Sequence, residues 1–146
     1  MNFIGKQIGN YQLVVAINSG GYGSVYRANH TILSGRIVAV KLLHTHLDSD
    51  KEREKFLQEA CLLEMLSHRY ILPILDVGFT DGLPYIVVEY APGGSLRDRL
   101  KRQASGLLPA EEARRLLMQV GQALEHAHQQ NIIHRDLKPE NILFNA

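Results

Sequence analysis

The strongest constraint on this sequence is a change of periodicity near residues 91–94. Up to Tyr90, the apolar side chains occur in short β-branched runs typical of strands, with one helical stretch among them. Beyond the Pro/Gly-rich segment 91–94, they recur every three or four residues, as on one face of a helix. The sequence therefore predicts an α+β chain with a strand-rich part (1–90), a linker (91–94) and a helical part (95–146).

Five strands are predicted in the first part: Tyr11–Ile17, Gly23–Ala28, Arg36–Leu43, Ile74–Phe79 and Leu83–Tyr90. Asp81-Gly82 is a strong signal for a tight hairpin turn between the last two. One helix, over Lys51–Ser67, interrupts the series. The remaining connections are short, and short connections favour an antiparallel sheet, because parallel strands need long crossovers.

The second part is predicted to begin with two helices. Ser95 is the expected N-cap of a short helix that runs to about Gln103. A longer helix is expected from Pro109 to about Gln130, because its apolar residues follow the helical spacing. A final strand is predicted over Asn141–Asn145.

Composition excludes several classes of protein. The 146 residues are 45% apolar, which is too apolar for a disordered chain. A formal net charge of +1 provides no broad basic surface, so we expect no nucleic-acid partner. No apolar run is long enough to span a bilayer, so we expect no membrane segment in this chain. The single cysteine, Cys61, excludes an internal disulfide framework and, with the lack of a signal peptide, predicts a cytoplasmic location.

A glycine cluster, residues 19–23, lies between two predicted strands. Glycines without a Cβ allow backbone N–H groups to approach an anion closely, although a plain tight hairpin has the same pattern. A dinucleotide-binding turn would need a helix directly after the glycines. Because a strand follows instead, a flap over phosphate groups is the better functional interpretation.

Lys41 and Glu59 are candidate partners. Strand alternation places Lys41 on the same face as Ile37 and Ala39, where its ammonium group either extends to water or meets an anion. Glu59 falls within the apolar stripe of the predicted helix, and a carboxylate that faces a core needs a cation nearby. Lys41 is the obvious candidate, and the alternative is that Glu59 lies at the edge of the stripe and reaches water.

The segment 134–141, His-Arg-Asp-Leu-Lys-Pro-Glu-Asn, concentrates polar groups between two apolar runs. Pro139 prevents a helix, so the segment is predicted to be a loop. In one cavity, the Asp136 carboxylate can accept a proton from a hydroxyl, the Lys138 ammonium can neutralise phosphate oxygens, and the Asn141 amide oxygen can bind a hard cation. A Ser/His/Asp hydrolase is disfavoured, because the segment lacks a nucleophile elbow.

These motifs resemble, in the same order, those of protein kinases. Residues 134–141 are similar to the catalytic loop His-Arg-Asp-Leu-x-x-x-Asn, and Lys138 resembles its serine/threonine-specific form. The other matches are residues 20–25 to the glycine-rich loop, 38–41 to the Val-Ala-Ile-Lys strand, Glu59 to the C-helix glutamate, and 84–96 to the fifth strand and hinge. The resemblance covers about residues 11–145. It implies a protein-kinase-like fold, with a five-stranded N-lobe sheet and C-helix (1–90), a hinge (91–94) and part of a helical C-lobe (95–146).

The resemblance also implies a function and a set of site residues. The activity would be transfer of the γ-phosphate of ATP, with Mg²⁺, to a Ser or Thr hydroxyl of a protein substrate. Lys41, held by Glu59, would contact the α- and β-phosphates, while Asp136 orients the hydroxyl, Lys138 clamps the phosphate and Asn141 binds Mg²⁺. The residues implied to surround ATP are Ile17, Asn18, Gly20, Gly21, Gly23, Val25, Ala39, Lys41, Val88, Glu89, Ala91 and Leu143. Arg135 would bind a phosphate on an activation segment.

Two departures from the family pattern are visible. Asn18 stands where the first glycine of the glycine-rich loop is expected. The Asp-Phe-Gly motif would fall near position 154, beyond Ala146, so we expect this chain alone to transfer phosphate slower than a whole kinase by on the order of 10³-fold or more. The alternative interpretation is a non-catalytic, pseudokinase-like fragment that binds nucleotide or a partner.

Overall fold

The computed structural model describes residues 2–20, 22–134 and 136–146. Its elements are β1 (Gln7–Ile8), β2 (Tyr11–Ser19), β3 (Gly23–His30), β4 (Ile37–Leu43), α1 (Asp50–Glu64), β5 (Ile74–Thr80), β6 (Leu83–Glu89), α2 (Leu96–Arg102) and α3 (Ala110–Gln129), followed by a 3₁₀ turn at Pro139–Asn141. The chain divides into two compact units, residues 1–65 with 73–90 and residues 66–72 with 91–146. Residues 66–72 are predicted to belong to the strand-rich part, whereas in the structure they form part of the second unit.

The first unit contains a six-stranded antiparallel sheet in the order β1-β2-β3-β4-β6-β5. The five predicted strands are confirmed, and the sixth, β1, has only two residues, too few for an alternating pattern. Asp81 and Gly82 both have positive φ angles, 49° and 78°, as the predicted tight hairpin turn requires.

The core of the first unit lies on one face of this sheet. In strand β4, Val38, Val40 and Leu42 are buried, while Ile37 and Lys41 on the opposite face are exposed. Ala39 is an exception, because it lies on the face of Lys41 and is nevertheless buried. The predicted alternation is confirmed for the larger side chains, and the same parity buries side chains of β2, β3 and β6. Full burial stabilises each large aliphatic side chain by about 1.5–3 kcal/mol, so this cluster is the main source of stability in the unit.

Helix α1 packs against β5 of the sheet. The Ser49 hydroxyl caps the helix by accepting a hydrogen bond from the Glu52 N–H at 3.1 Å. Phe56 packs edge-on against Phe79 of β5, with 5.6 Å between ring centroids. The helix ends at Glu64, three residues before the predicted end.

The second unit contains α2 and α3, both of which were predicted. Helix α3 ends with Asn131 in the left-handed conformation (φ 62°), and the Ile132 N–H donates to the Ala127 carbonyl at 2.9 Å. This arrangement satisfies carbonyls that the helix leaves unpaired. The rings of His68 and His126 stack with centroids 5.1 Å apart, which attaches residues 66–72 to α3.

The predicted strand over Asn141–Asn145 is wrong. Its first residue ends the 3₁₀ turn, and the segment forms a single bridge between Leu143 and Ser95. Two backbone hydrogen bonds flank this bridge, from Leu96 N–H to the Ile142 carbonyl (2.8 Å) and from Phe144 N–H to the Gly94 carbonyl (2.9 Å). The partner segment enters α2 at Leu96, so the pairing is too short for a ladder.

Among the described residues, no helix is both long enough and apolar enough to cross a membrane.

Candidate functional site

The face of the sheet opposite the core carries four of the residues implied to surround a nucleotide. Val25 lies opposite Lys41 in the β3–β4 pair, and Ala39 lies opposite Val88 in the β4–β6 pair. Residues directly opposite each other on antiparallel strands project to the same side. We call Val25, Ala39, Lys41 and Val88 the outer sheet face. It combines a largely apolar surface with one ammonium group.

The turn between β2 and β3 explains part of the glycine cluster. The Gly20 N–H donates to the Gly23 carbonyl at 2.9 Å and closes the turn. A Cβ on Gly23 would lie 2.7 Å from the carbonyl oxygen of Leu42, so this position requires glycine. Gly21 lies outside the described residues.

Asn18 and Ile17 precede this turn within β2. Asn18 pairs with Val25 and is not among the non-glycine residues with positive φ in the described chain. Asparagine therefore replaces the expected glycine without backbone strain. Ile17 is half exposed, at 50%.

The predicted ion pair between Lys41 and Glu59 is absent from the described residues, whose ion pairs join other groups. Both side chains are exposed, and the neighbouring Ala60 is the buried residue of α1. Successive helical residues point about 100° apart, so Glu59 does not share the direction of the buried Ala60. The arrangement observed is the alternative, in which Glu59 reaches water.

The loop of the second unit brings together three predicted site residues. The Lys138 Nζ lies 3.4 Å from the Asp136 Oδ2. The Asn141 Nδ2 donates to the Asp136 main-chain carbonyl at 2.7 Å and contacts its Oδ2 at 3.3 Å. In the 3₁₀ turn at Pro139–Asn141, the Asn141 N–H donates to the Lys138 carbonyl at 2.9 Å, and this tight winding keeps Asn141 close to Lys138. We call Asp136, Lys138 and Asn141 the loop cluster, and all three are exposed.

Two further contacts hold the loop. The His134 Nδ1 accepts a hydrogen bond from the Asp136 N–H at 3.1 Å, and the Arg97 Nε of α2 donates to the Glu140 carboxylate at 2.8 Å. The hydrogen bond from Arg97 lowers the pKa of the Glu140 carboxyl. Sequence reasoning missed the Arg97–Glu140 pair, because nothing local indicates a contact between residues 43 positions apart. Arg135 lies outside the described residues.

The loop cluster fits a role in binding Mg²⁺, but only as a partial site. The nitrogen of the Asn141 amide is engaged by Asp136, which leaves its Oδ1 as a hard oxygen donor beside a carboxylate. The described residues contain no group of three or more His, Cys, Asp or Glu arranged to hold a metal. Mg²⁺ ordinarily takes one or two protein ligands and completes its shell with phosphate oxygens and water.

The remaining predicted residues lie near the chain connections. The Glu89 side chain is exposed. The main-chain N–H of Glu89 donates to the Pro73 carbonyl at 3.4 Å. Ala91 is half-buried, and Leu143 is 46% exposed. Their implied contacts with adenine stay predictions.

Comparison with known proteins gives consistent matches. Residues 11–146 match the model of the protein kinase domain. The chain is 42% identical over 142 residues to a probable serine/threonine-protein kinase of Clostridium perfringens and to the serine/threonine-protein kinase PrkC of Bacillus subtilis. Each alignment covers 96% of this chain but only 20% and 22% of those relatives, so the chain spans about a fifth of their length.

Solved structures agree with this result. The crystal structure of the PknI kinase domain from Mycobacterium tuberculosis matches with a TM-score of 0.80 and 29% identity. The match covers 95% of this chain and 55% of that one.

Proposed function

Because the chain belongs to the protein kinase domain family, we propose that it binds ATP with Mg²⁺ and supports transfer of the γ-phosphate to Ser or Thr hydroxyls of a protein substrate. The observation that carries this proposal is the loop cluster. It joins a carboxylate, an ammonium group and an amide within hydrogen-bond or ion-pair distance. Those are the groups that phosphoryl transfer requires for a hydroxyl, a phosphate and a metal ion.

The roles follow from the chemistry of each group. The Asp136 carboxylate orients the acceptor hydroxyl and accepts its proton as the new bond from oxygen to phosphorus forms. The Lys138 ammonium neutralises oxygens of the phosphoryl group, and the Asn141 Oδ1 binds Mg²⁺. Mg²⁺, when bound, neutralises charge on the phosphates of ATP.

The outer sheet face supports the nucleotide part of the proposal. Val25 and Val88 are partly exposed and offer an apolar surface for an adenine ring, Ala39 lies buried on the same face, and Lys41 provides a cation for phosphate oxygens. The described structure does not contain an ion pair between Lys41 and Glu59. Its formation in the nucleotide-bound protein is therefore a proposal only.

Nucleotide binding is tested by thermal denaturation of the 146-residue chain with and without Mg²⁺ and the non-hydrolysable ATP analogue AMP-PNP. We expect AMP-PNP to raise the melting temperature in the presence of Mg²⁺, since a ligand that binds only the folded state stabilises it. Lys41→Ala should lose most of this shift, while Lys55→Ala, which removes an exposed lysine of α1, should keep it. No shift in the unmodified chain would contradict the proposal.

A second candidate is a nucleotide-binding module without catalysis. The specific observation in its favour is that Lys41 and Glu59 are both exposed and unlinked to each other. Incubation with labelled ATP, Mg²⁺ and a generic protein substrate separates the two. Ser/Thr phosphorylation that falls by about 10²–10⁴-fold in Asp136→Asn supports catalysis. Nucleotide binding without any transfer supports the second candidate.

A further inference from the structure

Ser24 is the buried polar residue of the described chain, with 5% of its surface exposed. It lies in β3 with the same parity as Tyr26 and Ala28, whose side chains belong to the core. Its hydroxyl therefore faces away from Val25 and the outer sheet face. Any effect of Ser24 on a bound nucleotide must act through another part of the structure.

The Ser24 hydroxyl links three strand ends. Its Oγ lies 2.9 Å from the Oγ of Ser19, the last residue of β2, and 2.9 Å from the Nε2 of His44, which directly follows β4. A hydroxyl has one donor and two acceptor positions, so both contacts are hydrogen bonds that it can make at once. We call Ser19, Ser24 and His44 the hydroxyl–imidazole chain.

The hydroxyl–imidazole chain fixes, from both sides, the base of the turn between β2 and β3. We call this turn, whose described residues are Ser19, Gly20, Tyr22 and Gly23, the glycine turn. Ser19 and Ser24 are cross-strand partners that flank the turn. His44 contacts the turn a second time, because its main-chain N–H donates to the Tyr22 carbonyl at 3.1 Å. Together with the close approach of Gly23 to Leu42, these contacts attach the turn to the end of β4.

We propose that Ser24 and His44 are positioning residues that hold the glycine turn in the conformation that binds the phosphates of ATP. The inference rests on the proposed function. A turn that binds phosphate through its backbone N–H groups loses conformational freedom on binding, and that loss lowers affinity. Hydrogen bonds that fix the turn beforehand reduce the loss. This gain in affinity applies only to ligands with phosphate groups, because adenosine has no phosphate for the turn to bind.

A different role for the pair is disfavoured. A serine next to a histidine is also the arrangement of a nucleophile and its base. The Ser24 hydroxyl is buried, however, and the hydrogen bonds of the described residues provide no carboxylate to orient the His44 ring. The burial of Ser24 therefore restricts the access of a substrate to this oxygen.

The test compares the affinities of the 146-residue chain for AMP-PNP and for adenosine, both with Mg²⁺, by isothermal titration calorimetry. We expect Ser24→Ala and His44→Ala to weaken AMP-PNP binding by about 3- to 10-fold, the equivalent of one neutral hydrogen bond. Adenosine binding should stay unchanged. His44→Gln, whose side-chain amide can still reach Ser24, should restore most of the affinity for AMP-PNP.

His46→Ala is the matched control, since it removes a histidine from the same loop that is not part of the hydroxyl–imidazole chain. It should bind both ligands normally. Equal weakening of AMP-PNP and adenosine in Ser24→Ala would indicate a general structural role and contradict the inference. So would unchanged AMP-PNP binding in both Ser24→Ala and His44→Ala. Failure of the unmodified chain to bind AMP-PNP would instead contradict the proposed function, and the inference with it.

Discussion

At the scale of single residues, two glycines that each follow a valine have different structural roles. A Cβ on Gly78 in β5 would lie 2.6 Å from the Oη and 2.7 Å from the Cζ of Tyr85, a ring that is buried in the core. Burial raises the pKa of the Tyr85 hydroxyl, which therefore stays neutral in the crowded space beside Gly78. A Cβ on Gly121, in the middle of α3, would meet nothing within 4 Å.

These surroundings predict opposite effects of the same substitution. Gly78→Ala should lower the free energy of unfolding by about 1–3 kcal/mol, because the Tyr85 ring and its neighbours must shift. Gly121→Ala should stabilise α3 by roughly 1 kcal/mol, the difference in helix propensity. Urea denaturation of both variants measures these changes. A Gly78→Ala variant as stable as the unmodified chain would contradict the rigid packing of Tyr85.

The exposure and backbone conformation of single residues could be predicted from the sequence where a short-range rule determines them. The exposed side of Lys41 follows from strand alternation, and the positive φ angles of Asp81 and Gly82 follow from the turn type. The sequence predicts Glu59 within the apolar stripe of its helix, which also contains Ala60, but Glu59 is exposed and Ala60 is buried. The choice between Glu59 and Ala60 depends on how α1 packs on β5, which no local pattern contains.

At the scale of elements, α2 is a short helix with a well-defined beginning. The Ser95 Oγ accepts a hydrogen bond from the Asp98 N–H at 3.2 Å, and the Asp98 carboxylate accepts one from the Ser95 N–H at 3.0 Å. The backbone hydrogen bond from Ser95, followed by that from its hydroxyl, lowers the pKa of the Asp98 carboxyl below its usual 3.8. Asp98 therefore stabilises the folded state above about pH 4, and this contribution is lost as the pH falls through the lowered value.

We predict that Ser95→Ala weakens α2 by about 1 kcal/mol at neutral pH. Faster hydrogen exchange in Leu96–Arg102 would report the loss. The effect of the substitution should shrink once the pH falls below the lowered pKa of Asp98, because the protonated carboxyl no longer supports the reciprocal cap. Ser67→Ala removes an exposed serine outside this cap and should leave exchange in α2 unchanged. Equal exchange rates in Ser95→Ala and the unmodified chain would contradict the capping role.

The element predictions failed where two segments distant in sequence must meet. Five strands and three helices were predicted from periodicity and caps, and all eight are present. The strand over Asn141–Asn145 was wrong, because an extended sequence forms a ladder only when its partner is also extended. Here the partner segment is extended only up to Ser95, because α2 begins at Leu96. The sequence of residues 141–145 does not contain that information.

At the scale of the whole molecule, apolar burial is distributed unequally between the two units. The core cluster, which includes Leu13, Val40 and Val87, lies entirely within the first unit. In the second unit, Leu117 and Met118 of α3 are 72% and 51% exposed. Stability within one chain varies with such burial.

Hydrogen exchange of the complete chain should show this difference. Amides of β3, β4 and β6 should exchange most slowly, and those of α3 should exchange at least about 10-fold faster, because their local opening exposes less apolar surface. Mass spectrometry of peptides from each element measures both rates. Equal protection of α3 and β4 would contradict the assignment of the stable core to the sheet.

Asn18 has a consequence for how such chains are recognised. It occupies the position of the first loop glycine, yet it pairs with Val25 as an ordinary strand residue. A pattern search that insists on glycine there would discard this sequence, although its backbone has no need of one. At Gly23 the opposite holds, because the Leu42 carbonyl excludes every larger residue. A search template weighted by such steric demand would retain relatives that a literal glycine motif rejects.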